Sequence, residues 1–222
     1  MKIDVLDHGF VRLVECMGTD LSIVRNARVS YDAEWRTGED AGKDEKLIHY
    51  LLKNGHTSPF EAVTFTFEVK APIFVFRQWH RHRTWSYNEI SARYAELPSE
   101  FYVPKLEHIT TQSKHNKQMR TNEQNTDADA IQGYIRGAGS GAFGIYKRLL
   151  ELGCPRELAR GVLPVNTYSH MFATVNLLNL MKFLRLRLHE HAQYEIRVYA
   201  EALHKIAAQR SPIAMAAFDV YR

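Results

Sequence analysis

Between Ala62 and Val69 the hydrophobic pattern has a period of two: Val63, Phe65, Phe67 and Val69 alternate with Thr64, Thr66 and Glu68. Successive side chains on a strand point to opposite faces, so this stretch is a half-buried strand with one apolar side to cover. Most of the remaining chain reads as helix. Asp40 to Asn54 carries Leu47, Ile48, Leu51 and Leu52 at helical spacing, with Gly55 at the C-cap position. Pro72 suits the first turn of a following helix, Ile73 to His80. Tyr134 to Leu152 reads as broken early by Gly137, Gly139, Gly141 and Gly144, then becomes periodic. Gly153-Cys154-Pro155 ends that helix and opens another, with Glu157 in its first turn. Tyr168 to Val175 has the β-branched and aromatic character of a second strand, and a long helical stretch from Leu177 to Gln209 follows. Residues 1–60 read as an α-rich entry region. The expectation is a single α+β domain over residues 1–222, a small antiparallel sheet packed against long helices.

Composition narrows the function classes. The 222 residues are 45% hydrophobic and 24% charged, enough for one good-sized core without a second domain. Met1 to Asp7 carries acids where a signal peptide needs an apolar run, and no apolar stretch approaches the ~20 residues that span a bilayer. A cytoplasmic protein with no membrane partner is expected. Two cysteines, Cys16 and Cys154, argue against a disulfide scaffold or a cysteine-rich zinc site. The net charge of +4 suits an anionic partner, a phosphorylated small molecule as well as a nucleic acid. Glu107 to Ala130 is rich in Gln, Asn, Lys and Thr, and reads as a mobile polar loop that buries too little to offset its ordering entropy.

The densest polar signal is Arg77 to Arg93, with arginines at 77, 81, 83 and 93, His80 and His82, and Trp79, Trp85 and Tyr87 among them. It follows directly on the apolar strand and half-helix. Charges this close to a core are costly unless partnered, and bound phosphates are natural partners for guanidinium groups. Interleaved aromatics argue against a plain solvated face. A single-stranded nucleic-acid surface has the right mixture but lacks any accompanying motif. A metal site built from His80, His82, His189 and His191 would place a cation among arginines.

Arg81-His82-Arg83, seven residues and then Ser91 resembles the signature of the flavin-dependent thymidylate synthases. Similarity extends to Gln78-Trp79, Tyr87-Asn88-Glu89 and Arg93, to Gly55-His56 through Ser58-Pro59-Phe60-Glu61, to Arg160 through Leu163-Pro164, and to Leu186-Arg187 through His191-Ala192-Gln193. Order and approximate spacing agree over nearly the whole chain. The resemblance implies methylation of dUMP to dTMP with FAD as cofactor and NADPH and methylenetetrahydrofolate as co-substrates. It implies that Gln78, Arg81, Ser91, Arg93 and Arg160 hold dUMP, that Glu89 touches both nucleotide and flavin, and that Arg187 faces the uracil as the catalytic group. Ser58, Arg81, His82, Arg83 and Asn176 are implied to bind FAD, with His56 beside the isoalloxazine ring. A homotetramer with active sites shared between subunits is implied, with no nucleic-acid partner. Two positions depart from some family members, Leu178 and Lys182, where flavin contacts are otherwise expected.

The chemistry of the residues agrees with this. Thymidylate synthesis through an enzyme thiolate needs an activated cysteine. Cys16 lies in the apolar run Leu13 to Met17, and Cys154 in a helix-entry turn with no nearby histidine. Ser91 has no evident base to activate it. A reduced flavin is the alternative electron source, leaving the protein to bind anions and stabilise developing negative charge. Arg187, His191 and Tyr194, at spacings of four and three, are expected on one helix face. For His191 a buried hydrogen-bonded role carries at least as much weight as a catalytic one. No G-x-G-x-x-G loop is present, so FAD rests on the resemblance alone.

Overall fold

The computed structural model describes residues 1–222. Its central sheet has five antiparallel strands in the order β1-β2-β3-β7-β4, where β1 is Lys2–Val5, β2 Gly9–Met17, β3 Thr64–Pro72, β4 Ser86–Glu89 and β7 Tyr168–Asn176. The alternation read at 62–69 is the middle of β3. Phe65, Phe67, Val69 and Ala71 are each fully buried, while Thr66, Glu68 and Lys70 point to the polar side. On that side Thr66 and Thr174 share a hydroxyl hydrogen bond at 3.0 Å, and Glu68 takes Arg12 and His170. β3 and β7 pair along their whole length, Thr64 opposite Asn176 and Pro72 opposite Tyr168. Pro72 closes the strand and lies just outside helix α3, Ile73–Trp79, whose N-cap it forms.

The entry region is helical only from residue 20 onward: ahead of α1, Asp20–Arg28, its first 17 residues carry the strands β1 and β2, which the α-rich expectation missed. A bulge between Leu13 and Glu15 shifts the register against β3 and breaks the two-residue period by which β2 would have been legible. α2, Ala41–Lys53, starts at Asp40, whose carboxylate accepts from Lys43 N, and ends ahead of Gly55 at φ +72°, which glycine adopts without strain.

The second half differs from expectation in three places. α4 runs unbroken over Ala128–Glu151, through all its glycines. Each glycine costs a helix about 1 kcal/mol relative to alanine, an amount that tertiary packing can offset. Gly139 is required there, since a Cβ would lie 2.4 Å from the Phe101 ring. The polar segment 107–130 contains a two-stranded hairpin, β5 (Thr110–Gln112) and β6 (Arg120–Gln124), instead of a featureless loop. After the short α5, Arg156–Ala159, and β7, the long closing helix is two, α6 (Leu177–Arg187) and α7 (Tyr194–Arg210), followed by α8 (Pro212–Tyr221). No glycine or proline marks the break at 188–193, so the helical period runs through it in the sequence.

α3, α6 and α7 pack on the apolar side of the sheet around Trp79, Phe183, Tyr199 and Leu203, all fully buried. Asp20, itself buried, accepts from Ile213 N and Ala214 N at 3.0 Å each and so caps α8 onto α1. No helix is long and apolar enough to cross a membrane.

Candidate active site

The basic segment leaves the core at Trp79. Three aromatic rings make its floor: Trp79 lies 4.9 Å from Phe183 of α6 and 5.7 Å from Trp85, and Trp85 lies 5.3 Å from Phe183. Trp79 is fully buried and Trp85 nearly so. These tryptophans are therefore core, and their rings are not open for a base to stack on. Tyr87 on β4 staples the turn above them, its hydroxyl donating to the carbonyl oxygens of His82 at 2.9 Å and Trp79 at 3.3 Å. Burial holds the Tyr87 phenol above its ordinary range, so it stays a donor.

On this floor stands a hydrogen-bonded group that unites Gln78, His82, Arg187 and Gln193. His82 packs on Phe183 at 4.7 Å. Arg187, at the end of α6, donates through Nε to His82 Nε2 at 3.0 Å and through Nη2 to the Gln78 carbonyl at 3.0 Å. Burial, with the Arg187 charge behind it, lowers the His82 pKa from 6.5 to about 4. His82 is thus neutral, accepts through Nε2 and carries its proton on Nδ1. Arg187 is half-buried, and burial lowers its own pKa. Gln193 Oε1 accepts from Gln78 Nε2 at 2.5 Å, while its Nε2 donates to Glu195 at 2.8 Å. Glu195 is buried and takes Arg120 of β6 on both oxygens at 2.9 and 3.0 Å, with the Tyr102 hydroxyl at 3.2 Å.

The remaining site residues surround this group or lie apart from it. Arg81 and Arg83 rim, with His80, a recess of about 230 Å³. Glu89, at the end of β4, accepts from the buried Ser169 hydroxyl. Ser91 accepts from Arg93 N, and Arg93 pairs with Glu157 of α5 at 3.3 Å, which brings it to the segment carrying Arg160. Arg81, Arg83 and Arg160 are exposed, and their guanidinium groups make no hydrogen bond or ion pair within the chain. At the opposite end of α6, Asn176 caps the helix by accepting from Asn179 N at 2.9 Å. His56 and Ser58 are exposed beside the 3₁₀ turn Ser58–Ala62, which packs against α6 and β7 at that same end.

Two expectations need correction. Arg187, His191 and Tyr194 do not share a helix face, because α6 ends at Arg187 and α7 begins at Tyr194. His191 is neither buried nor in the hydrogen-bonded group: it is exposed, its N–H donates to His189 Nδ1 and its ring faces Glu190. Leu178 is buried in the core, whereas Lys182 is exposed near Asn179. Cys16 sits half-buried on β2 and Cys154 packs against the Phe143–Tyr146 cluster, their thiols bonding to the Gly18 and Pro155 carbonyls and neither to Arg187. Sequence reading missed Glu195, Tyr102 and Arg120; an acid within Tyr194-Glu195-Ile196 was the one available signal, and its partner lies 75 residues away.

A larger cavity, about 430 Å³, opens between the β5–β6 hairpin and the α6–α7 turn, lined in part by His108, Gln118, Arg120, His191, Tyr194 and Arg197. Gln193 forms its edge, so it adjoins the hydrogen-bonded group.

The family model described as thymidylate synthase complementing protein matches residues 12–213. A flavin-dependent thymidylate synthase of Thermotoga neapolitana is 47% identical over 221 residues, covering 100% of this chain and 95% of its own. The chain belongs to the flavin-dependent thymidylate synthase family. The enzyme of that name from Thermus thermophilus is 50% identical over 219 residues, covering 99% of this chain and 78% of the relative. Among solved structures, a UMP/dUMP methylase, PolB, from Streptomyces cacaoi bound with 5-Br dUMP superposes with a TM-score of 0.89 at 38% identity, over 99% of this chain and 98% of that one. Family membership agrees with the α+β fold, with the small antiparallel sheet and its helical cover, read from the sequence.

Proposed function

We propose that this family member catalyses the reductive methylation of dUMP to dTMP with methylenetetrahydrofolate as one-carbon donor, FAD as cofactor and NADPH as reductant. The observation that carries this reading is Arg187, fixed between neutral His82 and the Gln78 carbonyl beside two exposed, unpaired arginines. The arrangement binds anions and holds one cation ready for charge that develops on a pyrimidine ring. Neither cysteine lies there.

The residues fit the cofactor. Arg81, Arg83 and the recess they share with His80 suit phosphate oxygens, and the recess has room for a phosphate group but not for a dinucleotide. FAD, when bound, supplies the hydride that replaces thiolate activation of the uracil. Gln78, Arg81, Ser91, Arg93 and Arg160 hold dUMP, chiefly its phosphate and sugar. Arg187 stabilises the ionised ring amide, and Glu89 lies between nucleotide and flavin. His56, Ser58 and Asn176 complete the flavin site. Within one chain that trio is separated from Arg187 by the length of α6, roughly 15 Å. This spacing favours sites assembled between copies in a homotetramer. The bare side of α4, where an added Cβ at Gly133, Gly137, Gly141 or Gly144 would meet nothing within 4 Å, offers a helix face for close approach. A cytoplasmic setting completes the proposal.

The test is an anaerobic visible spectrum after loading with FAD, then NADPH, with and without dUMP. A flavin spectrum that bleaches faster with dUMP supports the reading, and a protein that retains no FAD and ignores dUMP overturns it. Arg187→Ala should keep the flavin spectrum while dTMP formation falls by about 10²–10³, the scale seen when one charge-stabilising donor is removed. Unchanged turnover in a single-turnover assay would take Arg187 out of the mechanism.

A further inference from the structure

A side-chain amide has an acceptor end and a donor end, and which end faces a ligand decides what it recognises. Taken alone, Gln78 could present either. Its surroundings remove that freedom, and the constraint originates at Glu195.

Glu195 is 3% exposed, and its carboxylate is held by Arg120 Nη2 at 2.9 and 3.0 Å and by the Tyr102 hydroxyl at 3.2 Å. An ionised carboxylate only accepts, so Gln193 must turn Nε2 toward it, as it does at 2.8 Å. Gln193 Oε1 then faces Gln78, which must donate through Nε2, at 2.5 Å. One atom of the chain of bonds is left over: Gln78 Oε1 makes no hydrogen bond within the protein. The Gln78 main-chain carbonyl is meanwhile held by Arg187 Nη2.

We propose that Glu195 is a positioning residue that sets the polarity of Gln78, so that Gln78 meets the substrate with its carbonyl oxygen and accepts a hydrogen bond from it. This rests on the reading of Gln78 as a dUMP contact and sharpens it. The phosphate dianion of dUMP offers no donor. Before the ring amide ionises, the donors are the sugar 3′-hydroxyl and the N3–H of uracil, so Gln78 reads sugar or base in the initial complex.

Glu195→Gln tests this by inverting the chain of bonds. With Arg120 still donating to it, the new amide turns its carbonyl to Arg120 and its NH₂ to Gln193. Gln193 then rotates, Gln78 rotates in turn, and a donor faces the substrate donor. Dissociation constants for dUMP, 2′,3′-dideoxy-UMP and N3-methyl-dUMP are measured calorimetrically on the FAD-loaded protein, beside steady-state kinetics. For dUMP we expect about a tenfold weaker Kd and a raised KM at near-constant kcat, one hydrogen bond's effect. The analogue missing the relevant donor binds wild type and variant alike, which tells 3′-hydroxyl from N3–H. Adding Gln78→Glu to Glu195→Gln restores an acceptor and recovers dUMP binding, a rescue that a purely structural Glu195 does not permit. If Glu195→Gln fails to fold, Gln193→Leu, which frees Gln78 to rotate, must show the same analogue dependence at about threefold. Equal weakening of all three ligands, or no weakening, overturns the role of Glu195. Gln78→Ala with unchanged dUMP affinity overturns instead the reading of Gln78 on which the proposal rests.

Discussion

Two regions meet at Gln78 and hold it by different physics. Beneath it, Trp79, Trp85 and Phe183 form a dry aromatic floor that fixes where the α3–β4 turn runs. Beside it, the polar β5–β6 hairpin makes contact through one arginine, Arg120, and a buried acid, Glu195. Burial is non-directional: it sets position and contributes most of the stability, but it cannot distinguish the two ends of an amide. Hydrogen bonds to a buried carboxylate contribute less and are directional. A binding site needs both, and here they come from separate parts of the chain.

The contrast can be broken at each side. Trp79→Ala removes the largest fully buried side chain, and a loss of about 3–5 kcal/mol is expected from cavity formation. Urea unfolding measures it, and a loss below about 1 kcal/mol would mean that the floor is not what positions the turn. Arg120→Met should cost less, about 1–3 kcal/mol, since it strands Glu195 but removes a cation that is itself one-third exposed. Much of that loss should return in the Arg120→Met, Glu195→Gln double variant, where no buried charge remains; additive losses would show that the ion pair is not the element that matters.

A third effect belongs to acid. Because the folded His82 value, about 4, lies below its ordinary 6.5, the unfolded chain takes up a proton in that window that the folded chain refuses. The stability tied to neutral His82 is therefore complete above pH 6.5 and is lost as pH falls toward 4. Thermal midpoints measured across that range in wild type and His82→Gln should converge on acidification, and parallel curves would contradict the neutral state assigned to folded His82.

The sequence disclosed the two regions unequally, for the same physical reason. β3 was legible because one strand face is uniformly apolar, and the basic segment because seventeen residues of unusual composition are contiguous. β2 was hidden by a bulge, and the α6–α7 break by ordinary helix formers. The grouping of Gln78, His82 and Arg187 agrees with the motif resemblance, while the tie from Gln193 to Glu195, Arg120 and Tyr102 joins segments up to 93 residues apart. Periodicity reports local faces, whereas such pairings are made by the fold. The hairpin illustrates this: its sequence is polar enough to read as loop, yet a single buried partner gives it an anchor.

α6 also sets an angular phase. It starts at Asn176, capped by that residue's own side chain, and ends at Arg187. In a helix each residue advances about 1.5 Å and turns about 100°. One residue inserted between the two ends would leave the spacing nearly intact yet swing the guanidinium roughly a quarter-turn away from His82 and the Gln78 carbonyl. Loss of seven would restore the direction but pull the ends together by about 10 Å. No insertion or deletion of a few residues preserves both. Point substitutions along the exposed side of α6 should thus be tolerated far more readily than any change in its length.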